Sequence, residues 1–288
     1  MNGQTLNHII QRATKFLTEN KIDNARLDAE ILLAHVLNEN RIYIYINSEL
    51  TLNEQQCKIY NSFIKRRAKH EPLAYIIGHK EFMNLDFIVT DEVLIPRPET
   101  EILVEETVER LKKFSDMLNI ADIGIGSGAI GISILKLLIN AHLDAVDIST
   151  SAIEIAKLNA VNHYVEDRIN FHIGNLLSPL TGKKFNAIVS NPPYIPNFVI
   201  DSLQPEISNY EPRIALDGGA DGLKFYRQLI NDSPNLLIDG GFLAVEIGIN
   251  QSNEIKNLIK NNEHFNHVEI INDLAGIERV MIIWKQKL

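Results

Sequence analysis

The chain has 288 residues, 45% hydrophobic and 23% charged, with 28 Lys/Arg against 37 Asp/Glu and a formal net charge of -9. With 15 Gly and 10 Pro this excludes a fibrous or low-complexity chain, and the charge argues against a protein held on nucleic acid by a broad basic field. The single cysteine, Cys57, excludes an intramolecular disulfide and a thiolate metal cluster; with no membrane-length apolar run and no secretory-type leader, a cytoplasmic protein free of membranes is expected.

The front of the chain differs from the rest. Residues 1–80 carry 11 Lys/Arg against 8 Asp/Glu, and the remainder 17 against 29. From Leu6 to Ile64 the apolar spacing is helical, with Leu27, Ile31, Ala34 and Leu37 forming one stripe. Thr51 followed by Glu54 reads as a capping box. A small helical bundle is predicted, with His35 packed in its core and the cluster Lys65-Arg66-Arg67-Ala68-Lys69 as a solvated helix face.

Residues 81–95 read as two short strands with a turn near Thr90-Asp91. Strands are then predicted at Ile120–Ile123, Leu143–Asp147, Ile169–Ile173, Ala187–Ser190 and Phe242–Glu246. Helices fit at Ala129–Leu138, Ser151–Asn162 and Leu223–Leu237. That alternation implies a parallel sheet covered on both faces. Val268–Ile271 and Arg279–Trp284, joined by a short loop, favour an antiparallel hairpin closing the sheet, with Trp284 in the core.

Two motifs carry chemistry. In the first, Asp122-Ile-Gly124-Ile125-Gly126-Ser127-Gly128 joins a strand to a helix, where glycines allow a tight turn and close approach to a ligand. Asp147, ending the next strand, can accept from ribose hydroxyls, and Asp122 can take an ammonium group. Read as GxGxxG/A, Gly124, Gly126 and Ala129 also suit a nicotinamide-dependent dehydrogenase, so the loop alone leaves the cofactor open.

The second motif, Asn191-Pro192-Pro193-Tyr194, ends a buried strand and should face the same crevice. The prolines stiffen the backbone, so a carbonyl of the pair and the Asn191 side-chain oxygen form two acceptors aimed at one –NH2 group. Tyr194 offers a flat face to a planar substrate. An amide nitrogen is a poor nucleophile because its lone pair is delocalised, and acceptors on its hydrogens favour the pyramidal form that attacks a methyl group. The same cradle suits the exocyclic amine of adenine in DNA or RNA. The nine histidines show no metal-ligand spacing, and no metal is expected.

With Ile95-Pro-Arg-Pro-Glu-Thr-Glu101 and Glu71-Pro-Leu-Ala-Tyr-Ile-Ile-Gly78, these motifs resemble the HemK (PrmC) protein-glutamine methyltransferases over almost the whole chain. The resemblance implies an α/β fold: a class I S-adenosylmethionine-dependent methyltransferase, Rossmann-like, with a seven-stranded mostly parallel sheet and an N-terminal helical bundle. It implies a bundle at 1–80 that grips the protein substrate, a hairpin linker at 81–96 and a catalytic domain at 97–288. The implied reaction methylates the glutamine amide of the GGQ motif in peptide chain release factors, with no direct nucleic-acid partner. By position, Gly124, Ile125, Gly126, Ser127 and Gly128 would hold the methionine part of the cofactor, Asp147 the ribose, and Asn175 and Leu176 would flank the adenine. Asn191 would touch cofactor and substrate, and Pro192, Pro193 and Tyr194 the substrate glutamine. Ile125, where the family has Thr, and Asn175 with Leu176, where it has an acid and often an aromatic residue, are departures. Glu99 and Glu101 open a helix, either favouring its dipole or facing the site. Glu211-Pro212-Arg213 is implied to form a loop over the site.

Overall fold

The computed structural model describes residues 4–287. The chain divides into two compact units, one holding the residues up to His79 together with 204–210, the other Lys80–Leu203 and Glu211 onward.

The first unit is built from α1 (Leu6–Glu19), α2 (Ala25–Leu37), α3 (Arg41–Ile46), α4 (Glu54–Arg67) and α5 (Leu73–Ile77) around one core that includes Leu17, Leu32, Leu33 and Tyr60. On α2 the buried apolar residues are Ala25, Ala29, Leu32, Leu33 and Ala34; of the expected stripe only Ala34 is fully buried, Leu37 packs partly against the core and Leu27 is exposed. The helix is apolar on most sides, so spacing alone did not single out the face that packs. His35 is exposed, tilted against the Phe63 ring at 5.8 Å, and not in the core. The capping box of α4 is Asn53 with Gln56, two residues beyond the expected pair. Thr51 instead pairs with Thr5 in an isolated bridge.

The basic cluster is a solvated face only at Lys65 and Lys69. Arg67 is buried and bonds Asp28 at 2.7 Å, and Arg66 grips Glu71 with two hydrogen bonds. Residues 204–210 join this unit through Glu206, whose Oε1 lies 3.1 Å from both Arg67 and His70. The Tyr210 hydroxyl donates to the Lys69 carbonyl at 2.8 Å.

A hairpin follows, β1 (His79–Phe82) and β2 (Leu85–Ile88). Its turn is Met83-Asn84, both with positive φ (51° and 57°), and not Thr90-Asp91. Two left-handed residues match the twist of a two-residue hairpin turn. The Glu101 carboxylate secures the turn by accepting from the Met83 N–H at 2.7 Å.

The rest of the second unit runs α6 (Glu101–Leu111), β3 (Leu118–Ile123), α7 (Ala129–Leu137), β4 (Ala141–Asp147), α8 (Thr150–Asn162), β5 (Ile169–Ile173) and β6 (Phe185–Ser190). After the short α9 (Pro205–Ser208), which lies in the first unit, come α10 (Lys224–Asp232), β7 (Leu237–Glu246), α11 (Ser252–Lys260), β8 (Phe265–Asn272) and β9 (Glu278–Lys285). The seven-stranded sheet has the order β5-β4-β3-β6-β7-β9-β8; β9 pairs antiparallel with β7 and β8, and the other pairings are parallel. The fold is therefore α/β, with class I methyltransferase strand connections and a helical unit ahead of it. The last two strands form the expected antiparallel hairpin, but β9 inserts inside and leaves β8 as the edge. The helix predicted at Leu223–Leu237 is shorter, because Pro234 diverts the chain into a single tight turn before β7.

Alternate residues of each central strand enter separate cores, as the two-residue period of a strand requires. Leu118 and Ile120 join one core with Val104 of α6, Ile132 of α7 and Ile153 of α8. Ala121 and Ile123 join the other with Leu229 of α10 and Ile255 of α11. Trp284 is partly buried against the first core, its ring 4.8 Å from that of Phe242. Among the described residues no helix is long and apolar enough to cross a membrane.

Candidate active site

Parallel register brings the key strand ends to one edge. Ile123 pairs with Val146 of β4 and with Ser190 of β6, and Asp147 pairs with Ile173 of β5. The residues that follow, Gly124, Asn175 and Asn191, with Asp147 itself, therefore surround one space, a cavity of about 270 Å³. This is the crevice at the carboxyl ends of the strands where open α/β sheets bind ligands.

Gly124, Ile125, Gly126 and Ser127 line one side of the cavity. The Gly124 and Ile125 N–H groups donate to the Val146 carbonyl at 2.8 and 3.0 Å, and Gly126 N–H donates to Asp147 Oδ2 at 3.0 Å. The other oxygen of Asp147 accepts from Ser149 N–H at 2.9 Å, so the carboxylate braces both loops while lining the cavity. Gly128 is not on the cavity wall. Its φ of +87° starts α7, and an added Cβ would lie 2.6 Å from Ile132 Cδ1. Asn159 of α8, completely buried, ties the loop to the hairpin: its Nδ2 donates to the Ser127 and Ile88 carbonyls, and its Oδ1 accepts from Ile88 N–H.

Asp122 lies beneath the loop and away from the wall. It has no exposure; Oδ2 accepts from Gly131 N–H at 2.9 Å, and Oδ1 is buried without a partner. Burial pushes its carboxyl up to about 7, against the pull of the Gly131 bond and with a further push from the Asp147 charge. Asn175 and Leu176 do line the cavity, and Leu176 is held at a φ of +48°, a costly conformation for a branched side chain.

Asn191, Pro192 and Pro193 line the opposite side. Tyr194 does not offer its face to the cavity. It packs against the second core, its hydroxyl donates to Glu246 Oε1 at 3.2 Å, and its carbonyl accepts from Gln251 Nε2 at 3.0 Å. Burial, then the Glu246 charge, raises the Tyr194 phenol, which stays neutral. Beyond the motif Ile195 forms an isolated parallel bridge with Asp217, its N–H donating to the Leu216 carbonyl at 3.1 Å.

Sequence reasoning assigned nothing to three residues here. Thr100 lines the cavity, accepts from Asn191 Nδ2 at 3.2 Å and donates to Glu246 Oε2 at 2.5 Å. Glu246, 2% exposed at the end of β7, has its carboxyl raised by burial; the Thr100 and Tyr194 hydrogen bonds and Arg279 offset this in part. Arg97 lines the cavity and donates to the buried Glu211 at 2.5 Å. Of the segment Glu211-Pro212-Arg213 expected over the site, Pro212 lines the cavity and Arg213 does not; Ile214, just beyond it, also lines it.

Residues 8–78 match the PrmC N-terminal domain, and residues 98–201 match the methyltransferase small domain. The chain is 41% identical over 277 residues to a release factor glutamine methyltransferase of Geobacter sulfurreducens, spanning 96% of this chain and 95% of that one. It is also 41% identical over 273 residues to a protein of the same name from Bacillus cereus, covering 93% and 95% of the two chains. Among solved structures, a methyltransferase from Pyrococcus furiosus superposes with a TM-score of 0.53 at 19% identity, covering 78% of this chain and 99% of that one. The catalytic domain of hMettl16 gives 0.59 at 15% identity, covering 88% and 90%. At those identities the superpositions speak for the fold alone.

Proposed function

Because the chain belongs to the release factor glutamine methyltransferases, we propose that it transfers a methyl group from S-adenosylmethionine to the side-chain amide nitrogen of the glutamine in the GGQ motif of peptide chain release factors. The observation that carries this reading is the orientation of Asn191: its nitrogen is engaged by Thr100, so its oxygen is left for a substrate –NH2 at the cavity.

The cavity residues fit the cofactor. The glycine loop turns tightly enough to accept a chain of methylene groups, Asp147 has lone pairs remaining for a ribose diol, and Asn175 has a side-chain oxygen for an adenine amine. Asp122, buried behind the loop, would act on an ammonium group through the Gly131 end of α7 and not by direct contact. Bound there, S-adenosylmethionine supplies an electrophilic methyl group on a cationic sulfur. The protein supplies geometry and acceptors. Asn191 Oδ1 and a carbonyl of the Pro192-Pro193 pair would take both hydrogens of the glutamine amide, favour pyramidal nitrogen and aim its lone pair at the methyl carbon. The proton lost from nitrogen would leave through the same acceptors to water.

Residues 8–78, which match the PrmC N-terminal domain, support a role for the first unit in gripping the protein partner, and a cytoplasmic setting goes with that reading. Transfer of labelled methyl from S-adenosylmethionine to a purified release factor tests the reading, with loss of label expected when the GGQ glutamine is replaced. Label passing to adenine in nucleic acid and not to the release factor would overturn it.

A further inference from the structure

A carboxamide has nearly the same shape either way round, so the Asn191 cradle works only if something holds its oxygen, not its nitrogen, toward the substrate. The structure contains a device that does this. A hydroxyl carries one hydrogen, and that of Thr100 is committed to Glu246 Oε2 at 2.5 Å. Both oxygens of Glu246 act as acceptors, one from Thr100 and one from Tyr194, so Thr100 is left to accept from Asn191, and an acceptor selects the nitrogen end of the amide. The second oxygen of Glu246 takes the Tyr194 hydroxyl, so one carboxylate holds Tyr194 directly and Asn191 through Thr100.

We propose that Thr100 is a positioning residue, locked by Glu246, that fixes the polarity of the Asn191 carboxamide and thereby the choice of a nitrogen-bearing substrate. The proposal rests on the glutamine-amide reading and adds what keeps the acceptor facing the substrate. Turned round, Asn191 would point two N–H groups into the cavity, repel a substrate –NH2 and favour an oxygen acceptor. The chain spans two long separations, 91 residues from Thr100 to Asn191 and 146 from Thr100 to Glu246, and it adds no charge to the cavity wall.

The test uses the full-length protein with Thr100→Val, which keeps the shape and removes the hydroxyl, Thr100→Ser, which restores it, and Glu246→Gln. Thr100→Val is expected to lower kcat by between about ten-fold and a hundred-fold, as misplacing a reacting group does, with KM for the release factor and Kd for S-adenosylmethionine unchanged. Thr100→Ser should recover most of kcat. A second readout is independent of turnover: hydrogen exchange at the Asn191 side-chain NH2, followed by NMR. It should be slow in the natural protein and fast in Thr100→Val and Glu246→Gln. Fast exchange in the natural protein, or full kcat in Thr100→Val, would overturn the positioning role and leave the substrate reading standing. Slow exchange in Glu246→Gln with full kcat would overturn the lock. Slow exchange that Thr100→Val abolishes, without any methyl transfer to release factor, would overturn the substrate reading and support the positioning chain.

Discussion

Replacing Asp122 by Asn should change how stability depends on pH. The carboxyl has no exposure, one oxygen without a partner and the Asp147 charge nearby, and it is pushed up to about 7 from an ordinary 3.8. Between those values the folded chain holds a proton that the unfolded chain has lost. Folding is therefore favoured at the acid end, and this contribution is lost as pH rises through about 7. Each unit of difference is about 1.4 kcal/mol, so natural protein should lose up to about 3 kcal/mol relative to the Asn variant between roughly pH 5 and pH 8. The Asn oxygen can still accept from Gly131, while its NH2 has no partner and costs about 1–3 kcal/mol at every pH. The variant should thus be the less stable protein at the acid end and draw level or pass it at the alkaline end. Urea unfolding of both proteins across that range gives the difference directly, and effects of other titrating groups cancel. A difference constant with pH would refute the reasoning.

Asn191→Ala should lower turnover about a hundred-fold while leaving most of the affinity for S-adenosylmethionine, measured by calorimetry, because it removes an acceptor aimed at the reacting amide; full turnover would end the cradle mechanism. Asn159→Ala should cost about 3 kcal/mol in denaturant unfolding, since the Ser127 carbonyl and both backbone groups of Ile88 lose their partner together. Gly128→Ala should cost about 1–2 kcal/mol through its positive φ, with the Ile132 methyl also forced aside, and should weaken cofactor binding by displacing the loop.

Local features of this protein were legible where one residue type has one use. The strand Ile169–Ile173 was read with the bounds it has, and the glycine loop and Asn191-Pro-Pro were placed at strand ends because buried runs stop there. Features with substitutes were not. The hairpin turn uses Met83 and Asn84 in conformations usually given to Gly, stabilised by Glu101 from a later helix, so no local residue announced it. The face of α2 was misread because its apolar residues surround the axis, and Arg67 looked solvated because its partners Asp28 and Glu206 are distant in sequence. Thr100 and Glu246 were given no role for the same reason: a helix-opening threonine and a strand-ending glutamate acquire one only when the sheet brings them together.

The seven residues 204–210 follow the Asn-Pro-Pro-Tyr strand in sequence yet fold with the leading helices, so the polypeptide passes from one unit to the other three times. A deletion that stops at His79 would therefore not free an intact catalytic half. It would strip Glu206 of Arg67 and His70, and Tyr210 of the Lys69 carbonyl, leaving an unsatisfied excursion that starts thirteen residues after Asn191. Weak activity in such a truncated enzyme would report damage to this excursion as much as loss of substrate capture, and a protease cut at the hairpin should leave the two fragments joined through it.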